Sequence, residues 1–421
     1  MSSAQRVLVV GQGYVGLPVA MRAVEVGDDV VGFDLDEAKV AGLTAGRSHV
    51  VDVADADVQA AWATGRYRAT GDADALEPFD VAVITVPTPL ADGVPDLSYI
   101  ESAADLLGPL VRGGCTVVLE STTYPGTTDE LLAPTLERHS GLKPGVDFHV
   151  GYSPERIDPG NTEWTFVRTP KVVAGLNPES LVAVQGFYDR LVEQTVPVTH
   201  TRVAELTKLL ENTYRHVNVA LVNELAMHAR SLDVDIWEAI GAATTKPFGF
   251  TAFWPGPGVG GHCLPIDPSY LSWRIERQLG ATSRFVDTAN DVNKHMPDYV
   301  VRRVQLGLNE RRKAVKGSRV LVLGIAYKKN TNDARETPAV GVVEGLAALG
   351  ADVAVHDSHI GDHPLDRMAE RVPLTAEEVS RADAVVLVTD HDDVDYVLVT
   401  SNAQYVFDTR NRLRGESVEL L

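Results

Sequence analysis

Cys263 is the residue of this sequence best suited to act as a nucleophile. It is one of two cysteines in 421 residues, and it lies in the segment Pro255-Gly-Pro-Gly-Val-Gly-Gly-His-Cys263-Leu-Pro-Ile-Asp267. Glycine lets a backbone approach a ligand closely, and proline stiffens the loop that holds it there. A lone thiol is more commonly buried and unreactive. The glycines before Cys263 and the carboxylate four residues after it favour a reactive thiol in a ligand-binding loop.

A second chemical signature stands near the start of the chain. The segment Gly11-Gln-Gly13-Tyr14-Val15-Gly16 fits the pattern G-x-G-x-x-G after an apolar strand, and Asp34 ends the next strand. In this pattern Gly11 makes the turn, Gly13 lets the backbone approach a pyrophosphate, and Gly16 lets helix and strand pack closely. A carboxylate at position 34 bonds ribose hydroxyls and repels a 2′-phosphate. The sequence therefore predicts NAD rather than NADP, with a flavin or another nucleotide as the alternative.

Three hydroxyl side chains follow later predicted strands of the same sheet. Thr85 and Thr88 follow one strand, and Ser121 follows the next. Open parallel sheets bind their ligands at the carboxyl ends of their strands. We expect these hydroxyls to line the nicotinamide half of the cofactor site, although a threonine taken singly is more often a helix cap or a turn residue.

Charged and amide side chains supply further candidates. Lys208 and Asn212 stand four residues apart on a predicted helix, so they share one of its faces. Glu155 and Arg156 belong to the polar segment 151–161, which proline and glycine interrupt. Such a loop after a strand is typical of a site rather than of a core. Each of these residues alone is more commonly part of a surface ion pair or a turn.

Composition and charge restrict the class of protein. A net charge of −20 argues against nucleic acid as a partner, because phosphate backbones are bound by clustered Lys and Arg. Two cysteines make no disulfide framework and fit a reducing, cytoplasmic setting. The first apolar run is too short for a signal peptide, and no apolar run is long enough for a bilayer. No cluster of His, Cys and Asp has metal-ligand spacing, so no metal is predicted.

Alternating strands and helices predict an α/β fold with two Rossmann-like, doubly wound domains joined by a central helical domain. The strands predicted for the first sheet are Arg6–Val10, Asp29–Phe33, Val81–Ile84 and Thr116–Leu119. The pattern returns later, since Arg319-Val-Leu-Val-Leu-Gly324 resembles Arg6-Val-Leu-Val-Val-Gly11, without the full glycine set. The predicted domains are 1–200, 201–305 and 306–421.

A long helix is predicted over 203–231, and it connects the outer domains. Its apolar residues recur at helical spacing: Leu206, Leu209, Leu210, Val217, Leu221 and Leu225. A helix of this length spans on the order of 40 Å. An apolar stripe of this kind has to be buried, and a second copy of the chain is a suitable partner. The sequence thus predicts a homodimer or a higher homo-oligomer formed through the central helix.

Taken together, these segments resemble the nucleotide-sugar 6-dehydrogenase family, which includes the UDP-glucose and GDP-mannose dehydrogenases. The matching segments are Gly11–Gly16, Glu120-Ser-Thr122, Ser153-Pro-Glu155, Lys208 with Asn212, Gly260-Gly-His-Cys263, Asp267 and Tyr327-Lys328 with Asp333-Ala-Arg335-Glu336. The resemblance implies oxidation of a sugar C6 alcohol to a carboxylate with two NAD. It also implies that Cys263 carries the sugar as a thiohemiacetal and then as a thioester.

The resemblance also implies roles for single residues. The catalytic set is Cys263, Lys208, Asn212, Asp267, Glu155 and Thr122. The cofactor set is Gly11, Gly13, Tyr14, Val15, Gly16, Asp34, Thr85, Thr88, Ser121 and Arg335. The set that binds the UDP-sugar is Glu155, Arg156, Lys208, Asn212, Phe250, Gly260 and Lys328. The base of the first oxidation stays open between Asp267, Lys208 and a bound water. The third domain is expected to hold the UDP part of the substrate.

The substrate is less well defined than the reaction. His262 before Cys263, the segment 120–128 and the Phe-Gly-Phe stretch around Phe250 resemble the N-acetylhexosamine branch, closest to the UDP-N-acetylglucosamine 6-dehydrogenases. UDP-glucose remains the alternative substrate. A single-oxidation hydroxyacid dehydrogenase and a non-catalytic NAD or nucleotide-sugar binding module are the rival classes. The product suits polysaccharide or glycoside biosynthesis.

Overall fold

The computed structural model describes residues 4–158, 161–261 and 264–421, so His262 and Cys263 lie outside the described residues. The strands are β1 Arg6–Val10, β2 Asp29–Phe33, β3 Tyr67–Thr70, β4 Val81–Ile84, β5 Leu90–Ala91, β6 Val94–Pro95, β7 Thr116–Leu119, β8 His149–Tyr152, β9 Lys171–Gly175, β10 Thr195–Pro197, β11 Arg319–Leu323, β12 Asp352–His356, β13 Glu370–Arg371, β14 Ala384–Leu387, β15 Val406–Asp408 and β16 Val418–Leu420. The helices are α1 Gly16–Glu25, α2 Glu37–Thr44, α3 Asp55–Ala63, α4 Ser98–Leu107, α5 Ala133–Ser140, α6 Pro178–Tyr188, α7 Thr201–Ala229, α8 Ile236–Thr244, α9 Asp267–Leu279, α10 Arg284–Lys294, α11 Met296–Glu310, α12 Pro338–Ala348, α13 Ala376–Arg381 and α14 Tyr396–Asn402.

The chain divides into two compact units, and the division runs through helices α7 and α9. The first unit holds Met1–Glu211 and Ser269–Ala281, and the second holds Asn212–Pro268 and Thr282–Leu421. The predicted domains 1–200, 201–305 and 306–421 divide the chain by expected function and not by compactness. Their boundaries stay a prediction. Among the described residues, no helix is both long enough and apolar enough to cross a membrane.

The first unit is built on an eight-stranded sheet in the order β10-β9-β8-β7-β4-β1-β2-β3. Side chains alternate across it, so Val7 and Val9 pack with α1 and α6 while Leu8 and Val10 pack with α4 and α5. Both faces of β1 are therefore buried, as its unbroken apolar run predicts. Its pairs are parallel except that β9 runs antiparallel to β8.

The second unit repeats the same plan in a six-stranded parallel sheet, β13-β12-β11-β14-β15-β16. The pairing of β11 with β12 starts at Arg319 and Asp352, as that of β1 with β2 starts at Arg6 and Asp29. The turns that follow are alike too, since Gly11 has φ +93° and Gly324 has φ +90°. The two predicted Rossmann-like domains and the helical region between them are confirmed.

Helix α7 has 29 residues, and its predicted extent is confirmed to within two residues at each end. Its apolar stripe is only partly covered within the chain. Leu209 is fully buried, whereas Leu210 is 62% and Leu221 is 51% exposed. Leu206 and Leu225 are exposed as well. A helix face with this many exposed leucines is typical of an interaction surface.

Candidate active site

The strand register of the first unit brings several predicted residues to one edge of the sheet. Val10 of β1 pairs with Phe33 of β2 and with Ile84 of β4, and the pairing continues to Leu119 of β7 and Tyr152 of β8. The residues that follow these strands are Gly11, Asp34, Thr85, Glu120 and Ser153. They share the carboxyl edge, where an open α/β sheet binds its ligand.

The glycine turn has the shape that a pyrophosphate requires. A Cβ on Gly11 would lie 2.6 Å from the Thr85 carbonyl oxygen, and one on Gly16 would lie 1.9 Å from the Gly11 carbonyl oxygen. A Cβ on Gly13 would meet no described atom within 4 Å. Gly11 and Gly16 are thus needed for packing, while Gly13 leaves open space beside the backbone at the point where a dinucleotide approaches.

Asp34 is held in place from both sides of its carboxylate. One oxygen accepts the Gln12 backbone N–H at 2.8 Å, and the other accepts the Asp36 backbone N–H at 2.9 Å. Lys39 Nζ lies 3.7 Å away. Each carboxylate oxygen still has a free lone pair, so a ribose hydroxyl fits this position. The geometry suits the NAD contact predicted for Asp34.

Two of the hydroxyls predicted to line the cofactor site, those of Thr85 and Ser121, donate hydrogen bonds to backbone carbonyls. Thr85 Oγ1 donates to the carbonyls of Val10 and Gly11, at 3.0 and 2.9 Å. Ser121 Oγ donates to the Val86 carbonyl at 2.8 Å. Thr88 is buried and Thr122 is half-buried. Thr85 therefore fixes the glycine turn, and its contact with a cofactor stays a prediction.

Arg156 makes three hydrogen bonds within its own unit. Its guanidinium donates to both carboxylate oxygens of Glu211, at 3.3 and 2.7 Å, and to the Pro170 carbonyl at 2.6 Å. Three of the five N–H donors of Arg156 are used by Glu211 and the Pro170 carbonyl, so the residue shapes the loop around Glu155.

A buried ionic cluster stands behind that loop, and the sequence gives no sign of it. Lys171 Nζ lies 3.0 Å from a Glu120 oxygen and 3.2 Å from a Glu155 oxygen. Tyr188 Oη donates to the other Glu120 oxygen. Burial raises the pKa of Glu120. Burial opposes the charge of Lys171, but Glu120 and Glu155 more than offset it and raise its pKa.

Lys208 is a largely buried residue that forms no ion pair with the described residues of its unit. Its side chain is 8% exposed, and no described residue of the first unit accepts a hydrogen bond from its ammonium group. A buried ammonium group normally has a partner, because desolvation of the charge is costly. An unpaired one is suited to hold an anion or a developing oxyanion.

Two predicted residues of the second unit contact each other. Asn212 Nδ2 donates to an Asp267 carboxylate oxygen at 2.5 Å, and both side chains are at most 9% exposed. Asp267 is the first residue of α9. The bond fixes the Asn212 amide and uses one of its two N–H groups, so the second N–H is available as a donor and the oxygen as an acceptor. The sequence places these residues 55 positions apart, and the fold brings them together.

The glycine loop before Cys263 is anchored at two points. Gly256 N donates to Asn223 Oδ1 at 2.9 Å, and Gly261 N donates to the Arg335 carbonyl at 2.9 Å. A Cβ on Gly260 would lie 2.8 Å from Cβ of Tyr327. Any side chain at position 260 would therefore displace the loop, which accounts for a glycine at this close approach.

The remaining predicted contacts of the second unit differ in exposure. Phe250 is 41% exposed, and Lys328 is half-buried. Arg335 pairs with Asp333 through two parallel bonds, of 3.0 and 2.6 Å, and its side chain is 54% exposed. The neighbouring Glu336 has φ +47°, a left-handed conformation that non-glycine residues seldom adopt. Strain of this kind is concentrated at functional loops.

The carboxylate that corresponds to Asp34 in the second sheet has a different use. Asp357 accepts the backbone N–H groups of Ile325 and Ala326 at 2.6 and 2.8 Å, and it also accepts from His359 and His391. Burial works against its charge, but these hydrogen bonds more than offset that and hold its pKa well below the usual range. The carboxylate oxygens of Asp357 are thus occupied by hydrogen bonds from neighbouring loops. They are not available to a ribose in the way that those of Asp34 are, which fits the incomplete glycine set of this domain.

One set of described side chains has the composition of a metal site. Ligand atoms of His359, His391 and Asp393 lie within 4.8 Å of one another. However, His391 Nδ1 accepts the Asn330 N–H at 2.9 Å, and its Nε2 lies 3.1 Å from Asp357. Both nitrogens of this buried ring are engaged, so the set suits two stacked rings that hydrogen-bond to neighbouring residues better than it suits a metal.

Glu205 is a further buried carboxylate that the sequence does not single out. It lies on α7 without exposure and accepts the backbone N–H groups of Gly126 and Thr128, at 2.6 and 2.9 Å. Thr128 Oγ1 donates to it as well, at 2.7 Å. Glu205 thereby fixes the end of the loop that begins at Ser121. Burial raises the pKa of Glu205 to about 7.

This raised pKa gives a signed prediction for stability. Between pH 4.5 and 7 the folded protein keeps a proton on Glu205 that the unfolded chain has lost. The contribution of Glu205 is therefore full at low pH and is lost as the pH rises through 7, by up to about 3 kcal/mol. We expect the free energy of unfolding of Glu205→Gln, measured with urea, to vary less over pH 5–8 than that of the wild type. Glu137→Gln, an exposed control, should follow the wild type, and parallel curves for Glu205→Gln and wild type would contradict the account.

The glycine turn, Asp34 and the carboxyl-edge residues define a dinucleotide-binding fold of the Rossmann type. Models of the UDP-glucose/GDP-mannose dehydrogenase family match the chain in three consecutive parts. The NAD binding domain matches residues 5–192, the central domain residues 202–295, and the UDP binding domain residues 321–415. The chain belongs to this family. It is thus a nucleotide-sugar dehydrogenase with an NAD-binding domain, and the predicted cofactor is confirmed.

Similar proteins cover nearly the whole chain. A UDP-N-acetyl-D-mannosamine dehydrogenase of Pyrococcus horikoshii is 34% identical over 92% of this chain and 90% of its own length. A UDP-N-acetyl-D-glucosamine 6-dehydrogenase of Pseudomonas aeruginosa is 35% identical over 92% of this chain and 91% of its own. A solved structure of a UDP-D-ManNAc dehydrogenase from Pyrococcus horikoshii superposes with a TM-score of 0.90 at 31% identity, covering 99% of this chain and 98% of its own.

Proposed function

We propose that this protein oxidises the C6 alcohol of a UDP-N-acetylhexosamine to the carboxylate in two steps that consume two NAD. The observation that supports it most directly is Lys208, a residue that is only 8% exposed and whose ammonium group has no hydrogen-bond acceptor among the described residues of its unit. A site that only binds NAD has no need of such a charge. A reaction in which negative charge develops on a carbonyl oxygen does, because a preformed cation stabilises that charge.

The first step of the proposal yields the aldehyde. The C6 hydroxyl loses its proton to a base, for which the candidates are Asp267, Lys208 and a bound water. Bound NAD supplies the acceptor for the hydride that leaves C6. The buried bond between Asn212 and Asp267 supports this assignment, because it keeps the Asp267 carboxylate in one orientation. Thr122 is the further residue that the family resemblance assigns to this step.

The second step proceeds through Cys263. Its sulfur attacks the aldehyde carbon, and loss of a second hydride turns the thiohemiacetal into a thioester. Water positioned by Glu155, with Asp267 as the alternative, then adds to the thioester carbon, the C–S bond breaks, and the thiolate leaves. Lys208 and Asn212 are the proposed donors to the oxygen that bears charge during these additions. A reducing compartment such as the cytoplasm belongs to the proposal, since an oxidised thiol is no nucleophile.

The substrate follows from the branch resemblance, with UDP-N-acetylglucosamine as the first candidate. The relatives named above act on UDP-N-acetylmannosamine and UDP-N-acetylglucosamine, which supports an acetamido group at C2 over the hydroxyl of UDP-glucose. The test is a panel of UDP-GlcNAc, UDP-ManNAc, UDP-GalNAc and UDP-glucose, followed by NADH absorbance and product mass. Conversion of an N-acetylated sugar to its uronic acid is expected. Preference for UDP-glucose would contradict the assignment to the N-acetylhexosamine branch. If the protein were a hydroxyacid dehydrogenase, none of the four UDP-sugars would be oxidised.

We also propose that two copies of the chain associate through the exposed face of α7. Leu210 and Leu221, both more than half exposed, lie on that face, and covering them removes apolar area from water. Light scattering should show a dimer or a higher oligomer for the wild type and a smaller species for Leu210→Arg/Leu221→Arg. Leu232→Arg, at a 72% exposed position beyond the end of α7, is the matched control. A monomeric wild type would refute this.

A further inference from the structure

Lys171 reaches the carboxyl edge of the first sheet because of one strand reversal. β9 runs antiparallel to β8 with Tyr152 opposite Ala174, so the start of β9 lies where β8 ends. Continuing that register sets Lys171 opposite Glu155. Two further bonds follow the same register, from Ser153 Oγ to the Val172 carbonyl and from Arg156 Nη1 to the Pro170 carbonyl, at 2.8 and 2.6 Å.

Glu155 is held by three donors through this arrangement. Its Oε1 accepts the backbone N–H groups of Arg156 and Ile157 at 2.6 and 2.5 Å, and its Oε2 faces the Lys171 ammonium at 3.2 Å. The Glu155 side chain is 12% exposed, whereas those of Lys171 and Glu120 are 3% and 0% exposed. Of this cluster, Glu155 is thus the carboxylate that solvent or a ligand reaches.

The surroundings of Lys171 explain why its ammonium stays in place. Glu120 accepts from it on the side away from Glu155, and Tyr188 donates to Glu120 in turn. The rings of Phe166 and Tyr188 lie 5.5 and 5.3 Å from Nζ, a distance at which an aromatic face stabilises a cation. In the part of the chain that the structure describes, the titratable groups that face the ammonium are therefore Glu120, Glu155 and Tyr188.

We propose that Lys171 is a positioning residue for the hydrolytic step: its ammonium group holds the Glu155 carboxylate in one orientation, while Glu120 holds Lys171 from the other side. This inference rests on the proposed function, in which Glu155 orients the water that cleaves the Cys263 thioester. The water gives its proton to Glu155 as the C–O bond forms, and the C–S electron pair leaves on sulfur. Only an ionised Glu155 is able to take that proton.

The test compares three variants by their pH profiles of kcat and by the intact mass of the enzyme during turnover. Lys171→Met removes the cation, so the acidic limb of kcat should move up by about one pH unit or more, because a carboxylate beside Glu120 ionises less readily without it. At neutral pH kcat should fall at least about tenfold. KM for either substrate should change little, and the mass of the sugar adduct on the enzyme should increase.

Glu120→Gln supplies a shift of opposite sign. It removes the second carboxylate and leaves the ammonium to Glu155 alone, so the acidic limb should move to lower pH. Lys171→Arg keeps the charge and should restore most of the wild-type profile. If Lys171→Met does not fold, the direction in which Glu120→Gln moves the acidic limb of kcat tests the proposal. If Lys171 has only a structural role, the acidic limbs of both variants should coincide with that of the wild type.

The outcomes separate this inference from the function on which it rests. A wild type that forms no uronic acid refutes the proposed function, and the role of Lys171 fails with it. If the wild type forms uronic acid while the acidic limbs of Lys171→Met and Glu120→Gln coincide with its own, Lys171 has no positioning role and the function stands.

Discussion

Replacing Cys263 by alanine is expected to abolish formation of the uronic acid, with a loss on the order of 10⁴-fold or more in turnover to the acid. The physical reason is that the Cys263 thiol adds to the aldehyde and forms a thiohemiacetal. The second hydride leaves from the carbon of that adduct, so the second oxidation needs the thiol. Product mass and NADH release in a single turnover measure the effect. Cys263 lies outside the described residues, so this prediction rests on its sequence setting and on the family.

The other cysteine provides a matched control. Cys115 is 2% exposed in the core of the first unit, and burial raises the pKa of its thiol. A thiol that is seldom ionised and out of reach is a poor nucleophile. Cys115→Ala should therefore keep the wild-type rate of acid formation. Full activity of Cys263→Ala would exclude the thioester route and favour a single-oxidation enzyme.

Lys208→Met is expected to have the second largest effect. Loss of one preformed donor to a developing oxyanion lowers kcat by roughly 10²- to 10³-fold, while KM changes much less, because the charge it stabilises is greatest in the transition state. Methionine keeps most of the volume of the buried side chain, so folding should be preserved. Steady-state kinetics with both substrates varied measure the split between kcat and KM.

An exposed lysine tests whether the effect belongs to the position. Lys294 is exposed at the end of α10, and Lys294→Met should behave as the wild type. The far-UV circular dichroism of both variants should match that of the wild type. A rise in KM for the sugar with unchanged kcat would assign Lys208 to ground-state binding instead.

The strands that carry the site are the part of the fold that the sequence predicts best. β1, β2, β4 and β7 begin and end at the predicted residues, because each is an apolar run between polar or glycine residues. The glycine turn and Asp34 follow from the same reasoning, since a fixed pattern maps to a fixed geometry. The internal repeat also predicts the second sheet, including its first turn.

Contacts set by strand direction or by long-range packing are not predictable in this way. Lys171 faces Glu155 only because β9 reverses against β8, and no local pattern shows that reversal. In the sequence Glu205 does not differ from the other polar residues of α7. Its burial results from its contacts with the loop at Gly126 and Thr128, which are distant in sequence. The pairing of Arg156 with Glu211 has the same origin, a contact between residues 55 positions apart.

The central claim is a four-electron oxidation through a thioester on Cys263, and the ratio of NADH to sugar tests it most directly. Purified enzyme, a limiting amount of the preferred UDP-sugar and excess NAD should give two NADH per sugar and a single uronic acid product, without free aldehyde at any time. One NADH per sugar, with the aldehyde or a ketone as the product, would contradict the account.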